Sequence, residues 1–299
     1  MGTTETPLVI TGPIGSLIGL LHAPPDPRDC GILILVGGPQ YRAGSHRQYV
    51  SLARAWSARG IPVLRFDHAG AGDSDGLPEQ DGPQGADIRS VLDIFFEQVP
   101  QMDRVILFGL CDAATAAADY APLDDRVAGV ILVNPWVRSE AGLARAYLQE
   151  YYLSRMFDRE FWSKVVRGEF NMVDSFKSLV TNVAKACDRK GMDLSPNGSS
   201  DAPANVTAGE PRRPLATRMR RSLEAFDGRV LFILSGNDLV AAEFRDAVRR
   251  SRRWRRLLDE SRVSRADLPE ANHTFSRREW RSRVERAIVQ WSADRRWPG

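Results

Sequence analysis

Apolar residues along the chain fall into two alternating rhythms. Short apolar runs of strand length occur at 17–23, 32–36 and 61–66, and again at 105–108, 127–133 and 230–234. Between them the period changes. Tyr49, Leu52, Ala53 and Trp56 recur at i, i+3, i+4 and i+7, which is one buried helix face. Ile88, Val91, Leu92, Phe95, Phe96 and Val99 keep that spacing until Pro100 closes the segment. An alanine-rich helix is predicted before 127–133, a further helix over 241–252 and a last strand near 263–267. Trp280, Val284, Ala287, Ile288 and Trp291 mark a C-terminal helix. Strands separated by helices of this length imply a mainly parallel sheet with helices on both faces.

The rhythm breaks in the middle. Residues 138–185 read as helical and aromatic, with Tyr147, Tyr151, Tyr152, Phe157, Phe161, Trp162 and Phe170 and no strand signal. Residues 188–214 are polar and rich in Pro, Gly, Ser and Asn, a composition that predicts a mobile loop because little apolar surface is available to offset its ordering entropy. The predicted organisation is an α/β core from 1–137 and 226–299, interrupted by a helical cap over 138–225.

Composition narrows the function classes. At 299 residues, 43% hydrophobic and 26% charged, the chain is globular, and its net charge of +3 does not point to a polyanion partner. Only four of its 41 basic residues are lysine, a bias read as codon usage. The run Arg249, Arg250, Arg252, Arg253, Arg255 and Arg256 is read as a solvated helix end, not a nucleic-acid site. No apolar run approaches the roughly 18 residues of a membrane span. The N-terminus lacks a basic segment ahead of an apolar stretch, so a cytoplasmic location is expected. The glycosylation-type triplets at Asn197 and Asn205 are then chance matches. Three cysteines, Cys30, Cys111 and Cys187, exclude a disulfide framework and have no metal-ligand spacing.

One of those cysteines stands where chemistry is expected. The run 105–108 leads into Gly109-Leu110-Cys111-Asp112-Ala113 and then more alanine. Strand, small–x–nucleophile–x–small, helix is the layout of a nucleophile elbow, whose tight turn leaves no room for side chains two positions either side. At a helix N-terminus the dipole and free N–H groups favour thiolate. Asp238 follows the run ending at Leu234, and His273 lies in a polar loop between the last strand and the C-terminal helix. Nucleophile, acid and histidine therefore occur in the chain order that α/β-hydrolases use. Asp238 also has the position of a helix N-cap ahead of Val240. The segment Gly37-Gly38-Pro39-Gln40 follows another strand, where an N–H can be aimed at a developing oxyanion beside that of Asp112. Pro39 has no N–H, which leaves Gly38 and Gln40 as alternatives.

The chain resembles the α/β-hydrolases and, more narrowly, the family called exosortase A system-associated hydrolase 1. The stretches that carry the resemblance are GGPQYRAGSHRQY (37–49), FDHAGAGDSDG (66–76), GLCDAA (109–114), NPWVRSEAGLARAYLQEYYL (134–153), GNDLVAAEF (236–244) and NHTFSRREW (272–280). FDHAGAGDSDG also matches the general hydrolase turn D-x-R-G-x-G-x-S-x-G, with Ala69 in place of its arginine. The resemblance implies a hydrolase linked to bacterial loci for exopolysaccharide production and protein sorting, without defining a substrate.

The expected activity is cleavage of an ester or thioester through an acyl-enzyme. Cys111 would be the nucleophile, His273 the base, Asp238 its orienting acid, and Asp112 with Gly38 or Gln40 the oxyanion donors. Arg42 and His46, just after the oxyanion loop, with Trp136, Tyr147 and Tyr151, are the expected substrate contacts. Arg42, His46 and Arg47 could hold an anionic substrate group or neutralise Asp112, whose carboxylate opposes a neighbouring thiolate; the alternative is exposed residues at a helix start. His68 is read as structural. No metal or organic cofactor is called for, and the expected partner is a small acyl substrate. Transfer of the acyl group to an alcohol or sugar acceptor is the alternative, and a non-catalytic binding protein ranks below it.

Overall fold

A computed structural model describes residues 3–37, 40–76, 84–137 and 214–293. They form part of a unit of Met1–Arg138 with Pro214–Gly299. The expected cap helices over 138–185 and the expected loop at 188–214, except its last residue Pro214, lie outside the described residues.

The strands are β1 (Thr4–Thr11), β2 (Ser16–Ala23), β3 (Cys30–Leu35), β4 (Val63–Phe66), β5 (Arg104–Leu110), β6 (Val127–Val133), β7 (Arg229–Asn237) and β8 (Val263–Asn272). They make one sheet in the order β1-β2-β4-β3-β5-β6-β7-β8. β1 pairs antiparallel with β2 and β2 antiparallel with β4. Every other pairing is parallel. This is the α/β-hydrolase fold expected from the alternation of periods. The inner parallel strands β3, β5, β6 and β7 read as largely apolar runs because helices cover both of their faces, whereas the edge strand β8 is mostly polar.

The helices are α1 (Gln48–Ser57), α2 (Gln84–Gln98), α3 (Asp112–Tyr120), α4 (Leu215–Ala225), α5 (Leu239–Arg250), α6 (Arg252–Leu258) and α7 (Arg278–Ala293). Phe95, Ala114, Met219, Leu223, Phe244 and Trp254 bury one face of the sheet. Tyr49, Trp56, Trp280, Ile288 and Trp291, from α1 and α7, bury the other.

Three boundaries differ from the sequence reading. β1 is unannounced by periodicity: only Ile10 in it is buried, and Val9 is 76% exposed. It is a strand because it pairs residue by residue with β2 along its whole length. The helix expected over 241–252 is two helices. Ser251, in extended conformation, ends α5, and its Oγ accepts from Trp254 N at 3.3 Å to cap α6. Finally, 215–225, grouped by sequence with the cap, is α4 of the core, where Met219 and Leu223 are fully buried.

Candidate active site

Cys111 occupies the turn from β5 into α3 with φ 64° and ψ −118°, left-handed backbone that a non-glycine residue adopts only under constraint. The constraint is a set of backbone bonds. Cys111 N donates to Val133 O (2.9 Å), Trp136 N donates to Cys111 O (3.1 Å), and Thr115 Oγ1 donates to Trp136 O (2.7 Å). Gly109 has to be glycine, since a Cβ there would lie 2.5 Å from Ala114 N and closer still to the Ala113 carbonyl. The tight turn thereby presents the Cys111 thiol at the carboxyl end of the sheet, where open α/β sheets bind ligands.

The other two groups arrive on neighbouring strands. Asp238 follows β7, and His273 follows β8, whose last residue Asn272 pairs with Asn237. One Asp238 carboxylate oxygen accepts from Val240 N (3.1 Å) and the other from Ala241 N (3.3 Å), so the residue caps α5 as its position suggested. Asp238 Oδ2 also lies 2.9 Å from His273 Nδ1. The His273 pKa is pushed up to about 10, first by the bond to the Asp238 carboxylate and then by its interaction with Cys111, with burial opposing. Asp238 and His273 are thus hydrogen-bonded, and Cys111 acts on the same imidazole. Cys30, by contrast, is raised to about 12 by burial.

The loop after β3 meets α3. Asp112 Oδ1 accepts from Ala113 N at 3.0 Å, and a Cβ on Gly37 would lie 2.6 Å from Asp112 Cγ, so this glycine admits the carboxylate. Gln40 N is turned to Gly37 O at 3.4 Å, and Gly38 and Pro39 lie outside the described residues.

Arg42 is committed elsewhere. Its guanidinium pairs with Asp67 and with Asp73 (2.7 Å), and its amide donates to Asp67 Oδ1 at 2.5 Å. The structure places it as a clasp between the loop after β3 and the turn after β4, not as the partner of Asp112. His46 and Arg47 are exposed residues of positive φ (54° and 56°) ahead of α1. Trp136 reaches the site through its backbone. Tyr147 and Tyr151 lie outside the described residues. His68 is buried against Asp87, with Nδ1 3.3 Å from Oδ2, as its structural reading implied.

Two residues that hold the site went unnoticed in the sequence. Asn134, fully buried with φ 45°, and Ser235, fully buried at the end of β7, bond to each other and to the histidine loop. The only available signal was polarity: each ends a long apolar run, where a polar residue without water needs a partner. Among the described residues no group of His, Cys, Asp and Glu is arranged to hold a metal ion, and no helix is long and apolar enough to cross a membrane.

Residues 14–190 match the family described as serine aminopeptidase, S33. The chain belongs to this hydrolase family. In this chain Cys111 stands in the turn after β5, while the family is named for serine. No curated protein matches the chain at a significant level. Similar solved structures include the Pyrococcus furiosus esterase Pf2001, at 14% identity and TM-score 0.61, over 97% of this chain and 91% of the other. Est1E of Butyrivibrio proteoclasticus, solved with ferulic acid, has 15% identity and TM-score 0.57 over 96% and 100%. A dienelactone hydrolase of Anabaena variabilis has 13% identity and TM-score 0.58 over 97% of each chain. At these identities the likeness is one of fold.

Proposed function

We propose that this hydrolase cleaves an ester or thioester through an acyl-enzyme on Cys111. The observation that carries the reading is the Asp238–His273 hydrogen bond, with Cys111, in the strained turn after β5, acting on the same imidazole. The esterase among the structural neighbours supports the substrate class.

The Cys111 sulfur attacks the acyl carbon, forming a C–S bond while the carbonyl electron pair moves onto oxygen. The N–H of Asp112, first residue of α3, is one donor to that oxyanion. Gly38 is the favoured second donor, because Gln40 N is turned back to Gly37 O. Collapse expels the alcohol or thiol, which takes the proton held by His273. Water then attacks the thioester, gives a proton back to His273, and releases the carboxylic acid with Cys111 restored. Asp238 keeps the imidazole oriented and stabilises its charged form throughout. The resemblance to exosortase-associated hydrolases supports a substrate drawn from bacterial exopolysaccharide production.

Intact-mass spectrometry of the protein exposed to a panel of simple esters and acyl-thioesters tests this. The expected result is a transient mass increase equal to the acyl group, absent in Cys111→Ala. Turnover that persists unchanged in Cys111→Ala would refute the assignment. Adding alcohol or sugar acceptors distinguishes hydrolysis from transfer by the product formed.

A further inference from the structure

We propose that Asn134 is a positioning residue that ties the Cys111 turn to the His273 loop, and so sets the spacing on which the thiol–imidazole contact depends. The inference rests on the catalytic reading above.

Cys111 and His273 lie on opposite sides of β6 and β7 in the sheet order, Cys111 at the end of β5 and His273 beyond β8. Direct pairing between β5 and β8 therefore does not fix their separation. Side chains reaching across the strand ends have to do so. Asn134, immediately after β6, stands between the two. Its Nδ2 donates to His273 O (3.3 Å) and to Ser235 Oγ (2.9 Å), and its Oδ1 accepts from Ser235 N (2.8 Å). Ser235 Oγ in turn donates to Asn272 O at 3.1 Å, the residue before the histidine. On the other side, the backbone flanking Asn134 holds the nucleophile. Val133 O accepts from Cys111 N, and Trp136 N donates to Cys111 O.

The residue type fits the task. One side chain has to donate twice and accept once, which an amide does and a carboxylate or hydroxyl does not. The site also needs φ 45°, where asparagine is among the few non-glycine residues tolerated. Both Asn134 and Ser235 are fully buried, so no water competes for these bonds, and each donor left alone would be an unsatisfied buried polar group. The network carries no charge among its side chains. Its effect on the reaction is geometric.

Asn134→Gly is the discriminating variant, because glycine accepts the backbone conformation and removes only the side chain. Two readouts are needed: kcat and KM on p-nitrophenyl acetate, and the second-order rate of Cys111 alkylation by iodoacetamide across pH. The expected result is a loss of at least about tenfold in kcat with KM within about twofold, and a pH profile of alkylation altered from that of wild type. A folded Asn134→Gly protein with the wild-type kcat and the wild-type alkylation profile overturns the proposal. So does a fall in kcat with the alkylation profile unmoved, the pattern of a merely structural role. If Asn134→Gly does not fold, Ser235→Ala, which removes the hydroxyl linking Asn134 to Asn272, decides by the same readouts. A wild-type protein that alkylates at Cys111 yet forms no acyl-enzyme would instead count against the catalytic reading, and the alkylation profiles of the variants would still judge the positioning role.

Discussion

Asp238 serves both His273 and α5 with one carboxylate. Oδ2 lies 2.9 Å from His273 Nδ1 while Oδ1 and Oδ2 accept from Val240 N and Ala241 N. The helix amides hold the carboxylate in place, so the imidazole meets a group that is already oriented. Asp238→Asn and Asp238→Ala separate the two roles. Asparagine remains a good N-cap, so above pH 10, where the charge interaction with His273 no longer contributes, Asp238→Asn should keep thermal stability near that of wild type, while at neutral pH its kcat on an activated ester falls by about 10³–10⁴-fold. Asp238→Ala should lose activity and also about 1 kcal/mol of stability. Denaturation curves and kinetics on both variants check this. Equal stability losses in the two would show that the charge, and not the cap, holds α5.

The raised pKa of His273 fixes the sign of a pH effect. Its folded value of about 10 lies above the ordinary 6.5, so the stability it contributes is fully present below 6.5 and is lost as pH rises through about 10. Urea unfolding of wild type and His273→Gln should show the largest difference at pH 6 and little at pH 10. Activity should carry an alkaline limb near 10, where the proton needed by the leaving group is gone. A difference that grows with pH would contradict the assignment.

Cys111 should be alkylated faster than Cys30. Both thiols are half-buried, but the Cys30 pKa is pushed up to about 12 by burial, whereas Cys111 stands in the turn at the start of α3 and interacts with His273. Peptide mapping after limited iodoacetamide treatment measures the two rates. Asp112→Asn should accelerate Cys111 further, since it removes a negative charge beside the sulfur that Arg42 does not neutralise. Equal rates at Cys30 and Cys111 would remove the case for an activated thiol.

Gly109→Ala should destabilise the fold by about 1–3 kcal/mol, as overpacking does. The added methyl would meet backbone atoms of Ala113 and Ala114, which cannot rotate away. A chemical-denaturation midpoint equal to that of wild type would mean the turn relaxes more easily than its contacts suggest.

Alanine variants at Tyr147 and Tyr151 test the expected cap. Replacing a pocket-lining tyrosine should shift acyl-chain preference by about 1–3 kcal/mol in transition-state binding and leave a small activated ester turned over. Comparing kcat/KM on short and long acyl esters measures it. Parallel loss of all substrates in folded variants would place these residues in the catalytic apparatus.

Much of this molecule was legible in one dimension, for a physical reason. Burial on both faces turns a strand into a continuous apolar run such as 127–133, and burial on one face gives a helix the period seen from Ile88 to Val99. Cys111 was legible too, because a left-handed turn between strand and helix tolerates only small neighbours, and Gly109 and Ala113 supply them. What periodicity does not encode is pairing at long range. β1 exists through hydrogen bonds to β2 and not through burial, so its sequence pattern is silent. Arg42 sits near the site in sequence, yet its charge is claimed by Asp67 and Asp73 from a turn that only the sheet order brings alongside. Asn134, Ser235 and Asn272 are ordinary polar residues until three strands end side by side. With water excluded there, each buried donor must find an acceptor within the protein, and those bonds are settled by where the strand ends meet.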